Sequence, residues 1–196
     1  MSDPSAEHHD PAVAFESAKL GVWTFLATEV LLFGALFTAY TIFRMKFPEL
    51  FRVEHAKLDR VLGAANTVVL ITSSFTVVLG VDAIRRGKAR RLEAYFGATI
   101  LLAGVFLCVK YVEYAAKFHH GLYPGTNLFF SLYFMMTGLH GIHVLLGMGL
   151  LSYVIFLSRR GRLSASYYTP AEMSGLYWHF VDLVWIYLFP LLYLLG

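Results

Sequence analysis

The stretch GLYWHFVDLVWIYLFPLLYLLG (175–196) decides the fold. Apart from His179 and Asp182 it is almost wholly aliphatic and aromatic. At 1.5 Å per residue a helix of this length crosses a hydrocarbon core about 30 Å thick. A membrane-spanning strand would instead alternate in character every second residue, in segments of about ten. The stretch therefore reads as a transmembrane helix. Its two ionisable groups become the functional question, because placing them in lipid is costly.

The same reading extends upstream. Four more apolar stretches run from about Lys19 to Phe43, Arg60 to Ile84, Leu92 to Ala116 and Asn127 to Leu157, with the last from about Ala171 to Leu195. The chain is 58% hydrophobic and only 15% charged, where a soluble domain carries about 25%. The expected architecture is an all-α integral membrane bundle of five transmembrane helices, a single domain over 19–196. A polar tail, 1–18, precedes it. That tail lacks the basic start and apolar core of a signal peptide, so the first span is expected to stay in the membrane. The lone Cys108 excludes a disulfide framework. The net charge of +3 is modest and lies mainly in loops, which leaves no patch for nucleic acid. With five spans, nine Lys and Arg lie on the side of the N-terminus and six on the other. The N-terminus is therefore expected inside and the C-terminus outside.

Few polar residues lie within the spans. Glu29, in WTFLATEVLLF, is either hydrogen-bonded to a neighbouring helix or part of a proton relay or quinone contact. Lys110 and Glu113 are spaced for an i,i+3 ion pair, with Lys110 able to snorkel toward the interface. His140 and His143 share a helix face among Gly138, Gly141, Gly147 and Gly149. Small residues permit close helix contact, across which histidines can hydrogen-bond. A metal or haem would need ligands from other helices, and the first three spans hold no histidine. Asn66 begins a hydroxyl-rich helix with Thr67, Thr72, Ser73, Ser74 and Thr76, whose hydroxyls can bond back to the helix or bridge to another. In the last span Trp178, Asp182 and Trp185 follow i, i+4, i+7. His179 and Asp182, three apart, read as an internal polar latch, with a part in proton uptake as the alternative. His8, His9, His119 and His120 fall in polar ends or loops. Two other classes stay open on these residues: a b-type cytochrome using His140 or His143 with His179, and a proton channel built on Glu29. A transporter is disfavoured, because no two halves match.

Four stretches, in order, resemble subunit III of the haem–copper respiratory oxidases. WTFLATEVLLF resembles the family's glutamate-bearing helix, with Glu29 at its membrane glutamate. AANTVVLITSSFTV resembles the asparagine–threonine helix start at Asn66 and Thr67. KYVEYAAKFHHGLYPGTNLFFSLYFMMTGLHGIHVLLGM (110–148) is similar to the glutamate–tyrosine helix end and the Gly-x-His-Gly-x-His-Val segment, carrying over Glu113, His140 and His143. AEMSGLYWHFVDLVWIYLF (171–189) resembles the last helix, with Glu172, Trp178, His179, Asp182 and Trp185. The resemblance implies a five-helix form, as in bacterial versions, without the first two helices of the seven-helix form. Lys19 stands where arginine is common.

The resemblance implies a subunit with no catalytic, cofactor or metal site of its own, in a complex that reduces O2 to water and pumps protons. Haems and copper are expected in subunit I, the main contact, with subunit II and other oxidase subunits beside it. Bound phospholipid is also implied. Lys19, Arg159 and Arg160, at inner helix ends, are candidate headgroup contacts. The resemblance leaves open cytochrome c or quinol as electron donor, and a related accessory subunit of nitric oxide reductases. The implied location is a bacterial inner membrane.

Overall fold

Each apolar stretch becomes a helix whose ends are marked by local chemistry. The computed structural model describes residues 11–195, so His8 and His9 lie outside the described residues. Helix α1 spans Pro11–Lys46 and takes in part of the stretch read as a polar tail. A short amphipathic helix, α2 (Pro48–His55), opens with proline at the first helical position, where no N–H is needed. Helix α3 spans Arg60–Arg85, and its cap Asp59 accepts from the amides of Val61 and Leu62 at 2.9 and 3.1 Å. Helix α4 (Ala89–His119) follows a tight turn through Gly87, whose φ of 72° is the left-handed conformation glycine adopts without strain. Asn127 caps α5 (Leu128–Arg159) by accepting from Phe130 N–H at 2.9 Å. Helix α6 spans Thr169–Phe189.

At Pro190 the ring removes a donor and crowds the preceding turn. The backbone widens into a single π-helical turn, Pro190–Leu194, closed by Leu195 N–H donating to Pro190 C=O at 2.9 Å. The last span therefore runs on past its proline, and the wider turn carries Tyr193 into the interior.

Among the described residues five helices are long and apolar enough to cross a membrane, and the chain is an all-α membrane bundle. Helix α3 packs along α4 and α6, and α5 packs along the same two, so these four close a ring. Helix α1 leans on α5 and α6 from outside. Only 11% of its apolar window is buried, against 56% for the span containing α6. The last span is thus the centre of the bundle and the first its most lipid-facing member. Helix α2 lies across one end, where Phe51 meets Tyr40 and Phe129 edge-on with ring centroids 5.2 and 5.5 Å apart.

His55, outside the spans, is buried at the end of α2, and its Nε2 has no hydrogen-bond partner among the described residues. Burial, then the charge of Arg60, push its pKa below the ordinary 6.5. The unfolded chain therefore binds a proton here before the folded one does as pH falls. The His55 contribution to stability is intact above about pH 6.5 and declines as acidification carries pH below that value. Thermal unfolding followed from about pH 7.5 to 5.5 should show a falling midpoint, and His55→Phe should flatten that part of the profile.

Candidate functional site

Ionisable and polar side chains inside the bundle form three groups. The first lies where the end of α4, the start of α5 and the π-helical turn meet. Lys110 Nζ donates to Glu113 Oε2 at 2.8 Å, Tyr133 Oη at 3.1 Å and Tyr193 Oη at 2.8 Å, which uses all three N–H bonds of an ammonium. Both tyrosines pass their own protons on: Tyr133 donates to Glu113 Oε1 at 2.9 Å, and Tyr193 to the same oxygen at 2.8 Å. Lys117 Nζ donates to Glu113 Oε1 at 2.9 Å. One carboxylate thus gathers two ammonium groups and two phenols from three elements. The expected Lys110–Glu113 pair is present, but Lys110 does not snorkel. Its side chain is 9% exposed, because the aromatic rings of Tyr133, Tyr193, Tyr114 and Trp185 surround the ammonium at 5.2–5.6 Å.

The second group is the seam between α3 and α6. Ser73 Oγ donates to Leu70 C=O at 2.7 Å and accepts from Trp178 Nε1–H at 3.0 Å. Thr67 Oγ1 repeats the arrangement, donating to Gly63 C=O at 2.9 Å and accepting from Trp185 Nε1–H at 3.0 Å. Each hydroxyl spends its proton on its own helix and its lone pair on the neighbour. This explains the hydroxyl-rich α3: it supplies the acceptors that two buried indoles need. Behind Trp178 lies Gly147 of α5, where a β-carbon would stand 2.7 Å from the indole ring. Of the four glycines near His140 and His143, only this one meets another helix; Gly138, Gly141 and Gly149 have open space.

His179 and Asp182 do not bond to each other. His179 alone makes a tie to an adjacent helix: its Nδ1 pairs with Ser74 Oγ on α3 at 2.7 Å. Both carboxyl oxygens of buried Asp182 lack a hydrogen-bond partner among the described residues. His140 does not hydrogen-bond across a glycine contact either. Its ring is fully buried against Phe106 and Trp185, at 5.6 and 5.3 Å between centroids, and both nitrogens are without a partner among the described residues. Asn66 Nδ2 makes one long bond, 3.4 Å, to Phe106 C=O on α4.

The third group joins α1 to α5. Glu29 Oε2 lies 2.9 Å from His143 Nε2. His143 Nδ1 is 2.8 Å from Leu139 C=O, which can only accept, so Nδ1 carries a proton. Glu29 and His143 then share one further proton, held on either partner. Glu29→Gln should keep this contact, since the amide can donate to Nε2. Glu29→Leu should leave a buried ring nitrogen unpaired, at a cost of about 1–3 kcal/mol. Thermal unfolding of the two variants in detergent checks the ordering.

At the opposite end, Arg85 Nη2 donates to Glu172 Oε1 at 2.5 Å, and Ser158 Oγ to Glu93 Oε1 at 2.8 Å. Arg159 is exposed, 3.5 Å from Glu93. Arg160 lies 4.7 Å over Phe156, and Lys19 is exposed. His140, His143 and His179 have separate surroundings. Among the described residues no three His, Cys, Asp or Glu side chains stand close enough to hold a metal ion.

Sequence reading missed Lys117, Tyr133 and Tyr193 in the first group. Lys117 was visible as the i+4 neighbour of Glu113. The tyrosines were not, since aromatic residues fill every span.

A sequence profile of cytochrome c oxidase subunit III matches residues 3–196. The chain belongs to the cytochrome c oxidase subunit III family. Among its relatives, cytochrome c oxidase subunit 3 of Thermostichus vulcanus is 38% identical over 194 residues, covering 98% of this chain and 92% of the relative. That of Synechocystis is 40% identical over 176 residues, 89% of this chain and 74% of the relative. Quinol oxidase subunit 3 of Bacillus spizizenii is 34% identical over 184 residues, 90% of this chain and 86% of the relative. Within the cytochrome c oxidase subunit III family, then, this chain is an integral membrane oxidase subunit of five spans.

Proposed function

We propose that the chain is the non-redox third subunit of a cytochrome c oxidase. It packs against subunit I, which with subunit II carries the haems and copper, in a bacterial inner membrane with its N-terminus inside. One observation carries this reading: apart from Asp182, the histidines and charged groups of the interior are engaged with other side chains or enclosed by aromatic rings. Glu113 holds Lys110 and Lys117, Lys110 also reaches Tyr133 and Tyr193, Glu29 holds His143, and Ser74 holds His179. His140, free of such a bond, is shut between Phe106 and Trp185. Such an interior favours a scaffold over a haem pocket or a proton channel. The chain supports the partner's proton uptake and its durability in turnover, and binds phospholipid, with Lys19, Arg159 and Arg160 near headgroups. Asp182, buried without a partner, is the group in the last span with capacity left for a proton role.

A second reading, a quinol oxidase subunit III, has the quinol oxidase relative in its favour. Purification through a tag on this chain separates the two. The first predicts co-purifying haem- and copper-bearing subunits that consume O2 with reduced cytochrome c; the second predicts turnover with quinol only. Stripping the chain should leave the partner's spectrum intact and shorten its working life. Loss of a haem signal with the chain would defeat the proposal. Asp182→Asn should assemble normally, and a fall in turnover would assign that carboxyl to proton uptake.

A further inference from the structure

The Lys110–Lys117–Glu113 group is one negative charge short. Two ammonium groups share a single carboxylate, and all three side chains are buried. The two lysines differ in how well they are served. Lys110 has an acceptor for each N–H, whereas Lys117 donates once, to Glu113, and has no acceptor among the described residues for its other two. Glu113 cannot supply more, since its two oxygens already receive Lys110, Lys117, Tyr133 and Tyr193.

Lys117 lines a cleft of about 530 Å³ between the start of α3 and the end of α4. His120 and Lys57, the latter ion-paired with Glu54 at 2.7 Å, add donors to its wall. Leu62, Val112 and Leu122 form its apolar side. Asp59 and Glu113 also line it; Asp59 Oδ1 accepts from the amides of Val61 and Leu62 as the cap of α3. A buried cation with unused donors, basic side chains at the mouth and an apolar flank form a receptor for an anion attached to a chain.

We propose that this cleft binds the phosphate of an anionic phospholipid headgroup. The phosphate accepts from Lys117 and supplies the charge the buried group lacks, with Lys57 and His120 beside it. The first carbons of an acyl chain lie against Leu62 and Val112. This site is at the opposite end of the bundle from Lys19, Arg159 and Arg160. It deepens the lipid-binding part of the proposed function but needs only a chain in a bilayer, so it stands or falls independently of which subunits accompany it.

The test is equilibrium binding to the full chain in detergent micelles, read by native mass spectrometry. The probes are dioctanoyl phosphatidylglycerol, dioctanoyl phosphatidylcholine and inorganic phosphate. Phosphatidylglycerol should bind about tenfold more tightly than phosphatidylcholine, and Lys117→Met should remove that preference. Lys117→Met leaves Lys110 and Glu113 balanced one to one, so the fold is expected to survive. Val112→Trp, which fills the apolar flank and leaves the charges untouched, should weaken the lipid and spare inorganic phosphate. Unchanged phosphatidylglycerol binding in Lys117→Met would overturn the site. Inorganic phosphate binding as tightly as the lipid, with Val112→Trp without effect, would overturn the lipid and leave a free-anion site in its place.

Discussion

Glu113→Leu is expected to cost about 3–5 kcal/mol and to prevent recovery of folded protein, the largest effect of any single substitution in the bundle. The carboxylate accepts from Lys110, Lys117, Tyr133 and Tyr193. Its removal strands the Lys110 ammonium among four aromatic rings and leaves Lys117, in the cleft wall, without its carboxylate. The excess should trace to charge and not to lost volume. Adding Lys110→Met to Glu113→Leu should therefore recover part of the loss, even though a second native side chain has gone. Detergent-solubilised yield and thermal unfolding of wild type, both single variants and the double variant form the cycle that checks this. A double variant worse than Glu113→Leu alone would mean that Lys110 matters for packing more than for charge.

The second large effect is expected at Trp178. Its ring is fully buried, sits on Gly147 and donates to Ser73. Trp178→Ala should cost roughly 2–4 kcal/mol. In a water-soluble core the figure is roughly 3–5, but the unfolded reference here stays in lipid, so the transfer part of the penalty is smaller and the cavity dominates. Trp178→Phe keeps most of the ring and loses the bond to Ser73, at about 1 kcal/mol. The reverse change, Gly147→Ala, drives a methyl into the ring and should cost about 1–3 kcal/mol. Unfolding midpoints should rank wild type, Trp178→Phe and Trp178→Ala in descending order.

The five spans were legible because membrane thickness sets a length that apolar runs either reach or miss. Contacts within one turn were legible too, as with Lys110 and Glu113. Partners on other helices were not. Nothing in the order of residues says that Glu29 meets His143 or that Tyr193 reaches Lys110, since those contacts depend on how the helices are arranged. His179 shows the limit. Its nearest acid in sequence is Asp182, yet a hydroxyl on α3 takes its ring nitrogen. The glycine stripe around His140 misled for a related reason: composition marks where helices can approach, but only the position of Trp178 selects Gly147. The π-helical turn after Pro190, which carries Tyr193 inward, was not legible either, because it depends on how the backbone accommodates the proline ring.

That widened turn has a consequence for the order in which the protein is made. Tyr193 is the last member of the Glu113 group to leave the ribosome. Until it arrives, one N–H of Lys110 and part of Glu113 remain unserved inside an otherwise inserted bundle. A chain broken off before residue 193 would carry that defect permanently.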